Sequence, residues 1–344
     1  MPYEKRFFGA MPNGDPVYAH QLTNGPYALT VIDYGATMQS LVVPDRSGRP
    51  VDVVLGQDDM NGYLTCRTFQ GAVIGRVANR ISGAAFELEG NRYQLDCNSG
   101  TLCIHSGSGR YGHKLFTGED SSRDGLPAVT LRWHDSGEGG FPGEVEASVR
   151  YSLTKKGEVI LEYQALPTEN TPVNLLNHCY FNLNGHDGGA ANNHVVSVCA
   201  DYYLPNGQEG LPTGEIHLVK GTAFDLREPT ALGAWIQEKQ IRGYDTCFCI
   251  RGRGYRLAGT GLSPATGIRM DVYTDLPGMH FFTPGGLEDF RCKGGAIYTG
   301  HPAALCYETE HFPNAVNLSH FPDNIFGPGR PFRSRTAFAF STVP

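Results

Sequence analysis

Short apolar runs separated by turn signals fill this chain and constrain its fold more than any other feature. Its 344 residues include 44 glycines and 22 prolines, well above the roughly 12% that these two residues usually contribute together. Five Asn-Gly pairs, at 13–14, 24–25, 61–62, 184–185 and 206–207, each favour a tight turn between two strands. Turns at this spacing predict short strands and leave little room for long helices.

Between the turns, apolar and polar residues alternate, as expected for strands with one buried face. Residues 85–95 and 144–166 each predict a hairpin, and residues 129–133 predict a further strand. The best helical pattern is confined to residues 231–239. Many short strands without a βαβ rhythm predict an all-β fold, a large antiparallel β-sandwich or barrel. No linker or internal repeat interrupts the sequence, so we expect a single domain over residues 1–344.

Charge and composition narrow the classes of partner. The net charge of −7 and the isoelectric point of about 5.9 argue against nucleic acid and anionic membranes, which need clustered lysine or arginine. No apolar run follows Met1, and no segment is long and apolar enough to span a bilayer. The nine cysteines form no C-x-x-C pair, which fits reduced thiols and a cytoplasmic location.

The segment NHCYFNLNG (177–185) predicts a strand that carries a histidine within an apolar and aromatic run. Strand alternation places His178, Tyr180 and Asn182 on one face. An imidazole, a phenol and an amide in a row indicate the wall of a polar pocket. A core histidine satisfied by a backbone carbonyl is the alternative that this segment leaves open.

A second unusual stretch, LCYETEHFPNAVN (305–317), carries Glu308 inside an apolar run. As a strand it places Cys306, Glu308 and Glu310 on one face. A carboxylate in such surroundings is either paired or has a raised pKa, and either condition makes Glu308 a candidate acid or base. An edge strand with solvated acids is the alternative.

Further polar residues stand at the ends of apolar runs. Asn79 and Arg80 end a Gly-rich run, His105 enters a Gly/Ser loop, and Asp245 lies at the mouth of an apolar strand. The planar fork of arginine suits hydroxyls or carboxylates. The alternatives are a surface salt bridge for Arg80, a solvated loop for His105 and an ordinary turn for Asp245.

Motifs for cofactor, metal and covalent chemistry are missing from the sequence. It has no H-E-x-x-H pair, no paired cysteine ligands and no Asp-rich calcium loop. The Glu-x-Glu-His run at 308–311 would direct its members to different sides of a strand. The sequence also has no G-x-x-x-x-G-K-[ST] phosphate loop, no G-x-G-x-x-G between a strand and a helix, and no G-x-S-x-G motif. We therefore expect no metal and no cofactor.

A series of motifs across nearly the whole chain resembles the aldose 1-epimerase (galactose mutarotase) family. The most specific are GRVANRI (75–81), the run from LPTGEI to GTAFDLR (211–227) and ETEHFP (308–313), supported by NHCYFNLNG and GYDTCF (243–248). The resemblance implies a β-sandwich of the galactose-mutarotase type. It also implies interconversion of the α and β anomers of a free hexose without a cofactor, with a monosaccharide as partner. The oligomeric state stays open.

The resemblance also implies roles for individual residues. Glu308 and His178 would open the sugar ring, while Arg80, His105 and Asp245 would hold its hydroxyls. Opening needs a base that removes the proton on O1 and an acid that protonates the ring oxygen. Glu308 suits the base and His178 the acid. We therefore expect His178 to be protonated at neutral pH, supported by a nearby carboxylate.

The chain departs from the family pattern at several places. The loop expected as LHGG reads IHSG (104–107), the usual Gln two residues after Glu308 is Glu310, and QFYTGN is replaced by HFFTPGG (280–286). His280 and Pro284-Gly285-Gly286 stand where contacts to the far side of the sugar are expected, so His280 joins the predicted binding residues. Asn79, which precedes Arg80 at the end of the Gly-rich run, is a predicted binding residue as well.

The departures leave the preferred sugar open, and two other functions remain as alternatives. Tyr180 or Phe281 is expected to stack on the apolar face of the ring. A hexose-6-phosphate 1-epimerase would need additional Arg or Lys to hold the phosphate. A non-catalytic sugar-binding or regulatory protein could use the same scaffold, because a fold does not by itself imply a function.

Overall fold

The computed structural model of the chain describes residues 2–284, 290–298 and 302–344. Within these residues strands dominate, and the two α-helices, Met60–Thr65 and Leu232–Lys239, are short. The second helix confirms the helical pattern at 231–239. The first was not predicted, although the Asp59 side chain accepts a hydrogen bond from the Gly62 backbone N–H as an N-cap. The prediction of an all-β fold is confirmed.

The largest sheet has nine antiparallel strands and contains the predicted hairpin at 144–166 and the predicted strand at 129–133. In sheet order its strands are Thr117–Asp120, Ala128–Asp135, Val145–Leu153, Glu158–Pro167, Phe332–Thr342, Ile268–Thr274, Arg256–Leu262, Val195–Val198 and Thr230–Ala231. Alternation along these strands buries one face, as the sequence pattern requires.

Two five-stranded sheets and several two-stranded ribbons complete the framework. The N-terminal sheet comprises Tyr3–Ala10, Pro16–Asn24, Tyr27–Ile32, Thr37–Pro44 and Pro50–Asp52. The other, here named the site sheet, comprises in order His217–Leu218, Ala200–Tyr203, Asp245–Ile250, Gly278–Phe282 and Cys306–Glu310. The ribbons pair Ala85–Leu88 with Asn91–Gln94, Arg80–Ile81 with Cys103–Ile104, Thr171–Pro172 with Ile325–Phe326, Val73–Ile74 with Leu176–Asn177, Val54–Leu55 with Tyr180–Phe181, and Phe290–Arg291 with Ile297–Tyr298.

The site sheet packs against the nine-stranded sheet. The Tyr307 hydroxyl donates a hydrogen bond to the Thr260 carbonyl at 2.7 Å, and the hydroxyls of Thr309 and Thr336 lie 2.5 Å apart. Because Tyr307 and Thr309 occupy one face of their strand, the residues between and beside them point the other way. The sandwich interface therefore fixes which side chains of the site sheet can face a cavity.

Four further predictions concern the chain as a whole. All nine cysteines are unpaired, and five of them are buried. In the described part of the chain, no helix has the length and apolar character needed to cross a bilayer. The single domain over residues 1–344 and the cytoplasmic location stay predictions.

Candidate active site

One cavity of about 320 Å³ brings the predicted residues together. This volume lies at the lower end of the range for small-molecule sites, about 300–1,000 Å³. Its lining contains all seven residues singled out in the sequence, namely Asn79, Arg80, His105, His178, Asp245, His280 and Glu308. The remaining lining residues are Arg67, Thr68, Phe69, Ile104, Tyr180 and Phe282.

Glu308, on strand Cys306–Glu310, is part of the cavity lining. Tyr307 and Thr309 face the nine-stranded sheet, so Glu308 points to the opposite side. Its side chain is 3% exposed, which excludes the alternative of a solvated acid. The carboxylate is buried and borders open space at the same time, as an acid or base that handles a ligand must be.

His178 lies at the break between strands Leu176–Asn177 and Tyr180–Phe181. Its backbone N–H donates to the Ala72 carbonyl at 2.8 Å, and its carbonyl accepts from the Gly71 N–H at 2.9 Å. The imidazole stacks on the Tyr180 ring, with centroids 5.0 Å apart and planes inclined by 15°. These contacts fix the ring, and its Nε2 lies 3.6 Å from Glu308 Oε2.

His178 is not the satisfied core histidine of the alternative interpretation. Its Nδ1 is buried and has no hydrogen-bond partner among the described residues. Its other nitrogen faces Glu308 inside the cavity. We refer to Glu308 and His178 as the acid–base pair.

The protonation of the acid–base pair differs from the sequence expectation. Burial raises the pKa of Glu308 to about 8, and burial, with the charge of His280 adding to it, lowers the pKa of His178 to about 4. The expectation of a protonated His178 is therefore wrong for the ligand-free site. The reason is desolvation, which outweighs the nearby carboxylate. Between these two values the pair holds one proton, and that proton resides on Glu308.

A reciprocal contact orients His105. The His105 N–H donates to the Asn79 carbonyl at 2.9 Å, and the Asn79 N–H donates to His105 Nδ1 at 3.1 Å. Both residues have positive φ, 63° and 51° for Asn79 and His105 respectively. With Nδ1 acting as acceptor, Nε2 carries the proton and remains the ring's donor. Burial lowers the pKa of His105 well below its usual value, so the ring is a neutral donor.

A chain of charged groups crosses the cavity wall. Arg80 Nη2 lies 3.2 Å from Asp245 Oδ2, and Asp245 Oδ1 lies 2.6 Å from His280 Nε2. His280 Nδ1 in turn lies 3.5 Å from Glu310 Oε1. Burial works against ionised Asp245, but the hydrogen bond from His280 and the charges of His280 and Arg80 outweigh it and lower the pKa of the carboxyl. Asp245 is therefore an ionised acceptor.

The structure also corrects the choice of aromatic residue. Phe281 is fully buried and packs on Tyr307, with ring centroids 5.0 Å apart. Its neighbour Phe282 lines the cavity instead, beside Tyr180. The one-residue difference follows from strand alternation, since His280 and Phe282 share a face. The alternation of Gly278–Phe282 could have indicated this in the sequence.

The sequence analysis missed the loop that carries Arg67, Thr68 and Phe69. The Phe69 ring lies 5.4 Å from the His105 ring, and the Thr68 carbonyl accepts from the Tyr180 hydroxyl at 2.9 Å. No periodic or motif signal marks these residues, because only the folding of the loop over the cavity places them there.

The departures from the family pattern differ in their relation to the cavity. In the IHSG loop, Ile104 lines the cavity, and the hydroxyl of buried Ser106 accepts a hydrogen bond from the Val77 N–H at 2.8 Å. His280 lines the cavity and contacts Glu310, which is not part of the lining. Pro284 is buried and does not belong to the cavity lining, whereas Gly285 and Gly286 lie outside the described residues.

One set of side chains has the composition of a metal site. Ligand atoms of His178, Cys306 and Glu308 all lie within 4.8 Å of one another. An imidazole, a thiol and a carboxylate are ligands that zinc accepts. Burial, however, raises the pKa of the Cys306 thiol well above its usual value, which opposes formation of the thiolate that a metal needs. The absence of a metal stays a prediction.

Comparison with known proteins identifies the family of the chain. A sequence model of the family described as aldose 1-epimerase matches residues 18–339. The chain is 40% identical to galactose mutarotase of Bos taurus, with 98% of each chain covered, and 39% identical to that of Homo sapiens, again with 98% of each covered. The crystal structure of a GalM/aldose epimerase homologue from C. elegans superposes with a TM-score of 0.87 at 26% identity, covering 94% of this chain and 98% of that one.

The match extends over nearly the full length of both chains, and the β-rich architecture is shared with the solved homologue. The resemblance carried by the sequence motifs is thereby confirmed. This chain belongs to the aldose 1-epimerase family.

Proposed function

We propose that this protein interconverts the α and β anomers of a free aldohexose, such as galactose or glucose, through Glu308 and His178. The observation that carries the proposal is the separation of 3.6 Å between Glu308 Oε2 and His178 Nε2 inside a cavity. Both oxygens that exchange protons in ring opening are bonded to the same carbon, C1. An acid and a base a few ångströms apart can therefore reach both.

Ring opening transfers two protons. Glu308, as carboxylate, removes the proton from O1, and His178, as imidazolium, protonates the ring oxygen while the C1–O5 bond breaks. The C1–O1 bond becomes a carbonyl, rotation about C1–C2 presents its other face, and both transfers reverse on closure. Each positioned acid or base contributes typically 10²–10⁴-fold.

In the ligand-free site the proton is on Glu308 and His178 is neutral. This is the same protonation state that the pair reaches once it has opened the sugar ring. A cyclic sugar must therefore bind with transfer of this one proton from Glu308 to His178. Hydrogen bonds from sugar hydroxyls to Glu308 favour its charged form and lower its pKa. Because the pair keeps one proton throughout, no proton has to be taken from solvent.

The neighbouring polar groups would orient the sugar. Arg80 offers guanidinium donors, His105 offers an Nε2–H, and ionised Asp245 accepts from hydroxyls. Each of these groups loses a partner if a hydroxyl points the wrong way, which makes them the basis of affinity and selectivity. Curated relatives of about 40% identity are galactose mutarotases, and neither a hexose-6-phosphate epimerase nor a non-catalytic binding protein is favoured.

Polarimetry on freshly dissolved α-D-galactose and α-D-glucose tests the proposal. The wild type should accelerate mutarotation, and Glu308→Gln and His178→Asn should each lose about 10²–10⁴-fold. Matched controls are Glu215→Gln and His217→Asn, because these two residues form an exposed pair of the same types, 3.0 Å apart. The controls should retain full activity. A wild type that binds galactose without accelerating its mutarotation would overturn the proposal.

A further inference from the structure

Glu310 is a fully buried carboxylate that does not line the cavity. Its Oε1 lies 3.5 Å from Nδ1 of His280, whose Nε2 lies 2.6 Å from Asp245 Oδ1. The two departures from the family pattern at these positions, His280 and Glu310, are therefore in contact with each other. Nε2 of His280 therefore faces one carboxylate, while Nδ1 lies 3.5 Å from a second carboxylate and 3.1 Å from the amide nitrogen Asn79 Nδ2.

This arrangement favours a charged imidazole. A carboxylate buried without a cation is costly. Within the described residues, the further partners of Glu310 are uncharged: Asn79 Nδ2 at 3.3 Å, Asn174 Nδ2 at 3.4 Å and the thiol of Cys247. An imidazolium donates from both nitrogens, so it can serve Asp245 and Glu310 together. Burial acts against the charge on His280, but its contacts with Asp245 and Glu310 outweigh it and raise the pKa to about 10.

The charge lies next to the acid–base pair. His280 and Glu308 are directly opposite each other in the antiparallel register of strands Gly278–Phe282 and Cys306–Glu310, which places their Cβ atoms about 5 Å apart. A cation here stabilises the Glu308 carboxylate and opposes a second positive charge on His178. Both effects favour loss of a proton, so they act in the same direction on both members of the pair.

We propose that Glu310 and Asp245 hold His280 as a permanent imidazolium, and that this fixed charge sets the pH range in which the acid–base pair exchanges protons with the sugar. Glu310 is thus a positioning residue that acts through His280. The effect of this charge on the pH range of proton exchange rests on the proposed epimerase function. In the described part of the chain, the charged and titratable groups that face the pair or His280 include Arg67, Arg80, His105, Tyr180, Asp245, Cys247, Cys306 and Glu310.

The first test compares pH profiles of kcat/KM on galactose. His280→Gln should move both limbs of the profile to higher pH, by on the order of one to two pH units for a unit charge at this range. In the double variant with Glu310→Gln the shift should be smaller, because the uncompensated buried carboxylate is removed as well. The double variant also keeps the test open if the single variant does not fold.

Phe282→Leu is the control, because it changes an uncharged residue of the cavity lining. It should lower kcat/KM at all pH values without moving either limb. Limbs that stay in place in both His280 variants would overturn the role of the charge.

The second test measures His280 directly by NMR of ¹⁵N-labelled histidine and needs no activity. The ring should stay protonated above pH 9 in the wild type, and Glu310→Gln should lower its pKa by about one unit or more. If the wild-type ring is neutral at pH 7, with Nδ1 accepting from Asn79 Nδ2 at 3.1 Å, the proposal is wrong. A wild type without epimerase activity but with a protonated His280 would refute the proposed function. It would leave standing the inference that Glu310 and Asp245 hold His280 as an imidazolium.

Discussion

Replacing Glu308 by Gln should lower activity about 10²–10⁴-fold and at the same time stabilise the protein, increasingly so as pH rises. Burial raises the pKa of Glu308 from its usual 4.5 to about 8. The unfolded chain therefore releases this proton at lower pH than the folded protein does. Between pH 4.5 and 8 the folded state binds more protons, so the free energy of unfolding falls as pH rises through this window. Gln has the same shape and no proton to lose.

The size of the effect follows from the two pKa values. Each unit of difference corresponds to about 1.4 kcal/mol. The free energy of unfolding of the variant should exceed that of the wild type by about 1 kcal/mol at pH 5, about 3 kcal/mol at pH 7, and up to about 5 kcal/mol above pH 8. These are upper limits, because local relaxation and the proximity of His178 recover part of the cost. Solvent screening recovers little, since the side chain is 3% exposed.

Urea titrations at pH 5, 7 and 8.5, with linear extrapolation to zero denaturant, would measure the difference. In the difference between the unfolding free energies of variant and wild type, the contributions of all groups that the substitution leaves unchanged cancel. Glu87→Gln is the control, because Glu87 is exposed on its strand, and its difference from the wild type should be flat with pH. A flat difference for the Glu308 variant, or a variant less stable than the wild type at pH 8.5, would refute the reasoning.

Four further predictions follow from the same geometry. Arg76→Met should lower the free energy of unfolding by about 3–5 kcal/mol in urea titrations, because Arg76 is fully buried and lies 2.8 Å from a buried carboxylate. Arg80→Met, in contrast, should raise KM for galactose with little change in the urea midpoint, and the reverse pattern would contradict its placement in the site. Phe281→Ala should cost about 3–5 kcal/mol of stability, whereas Phe282→Ala should mainly raise KM, as steady-state polarimetry would show. The kcat/KM profile on galactose should be bell-shaped with limits near pH 4 and 8, where the acid–base pair holds one proton; a monotonic profile would contradict this assignment.

Local sequence patterns were sufficient to predict the fold class. The hairpins at 85–95 and 144–166 and the helix at 231–239 appear where alternation and helical periodicity predicted them. These features depend on neighbouring residues and on turn geometry, which the sequence contains directly. Helix Met60–Thr65 was missed because its six residues are too few for a periodic signal.

The sequence also determined which residue types are available for chemistry. An imidazole at 178 and a carboxylate at 308 inside apolar runs were anomalies that needed no structure to notice. Their motifs were enough to predict the family. What the sequence alone could not supply was that they approach to 3.6 Å, since they lie on distant segments of the chain that only the sandwich brings together.

Tertiary structure decided the electrostatics of the site. The sequence predicted a charged His178, and burial reversed this by placing the proton on Glu308. The contact between His280 and Glu310 was likewise invisible in the sequence, because it depends on the register of two strands. A pKa depends on the loss of water and on charges a few ångströms away. Both are set by packing between distant segments, so residue identities come from the sequence and protonation states come from the fold.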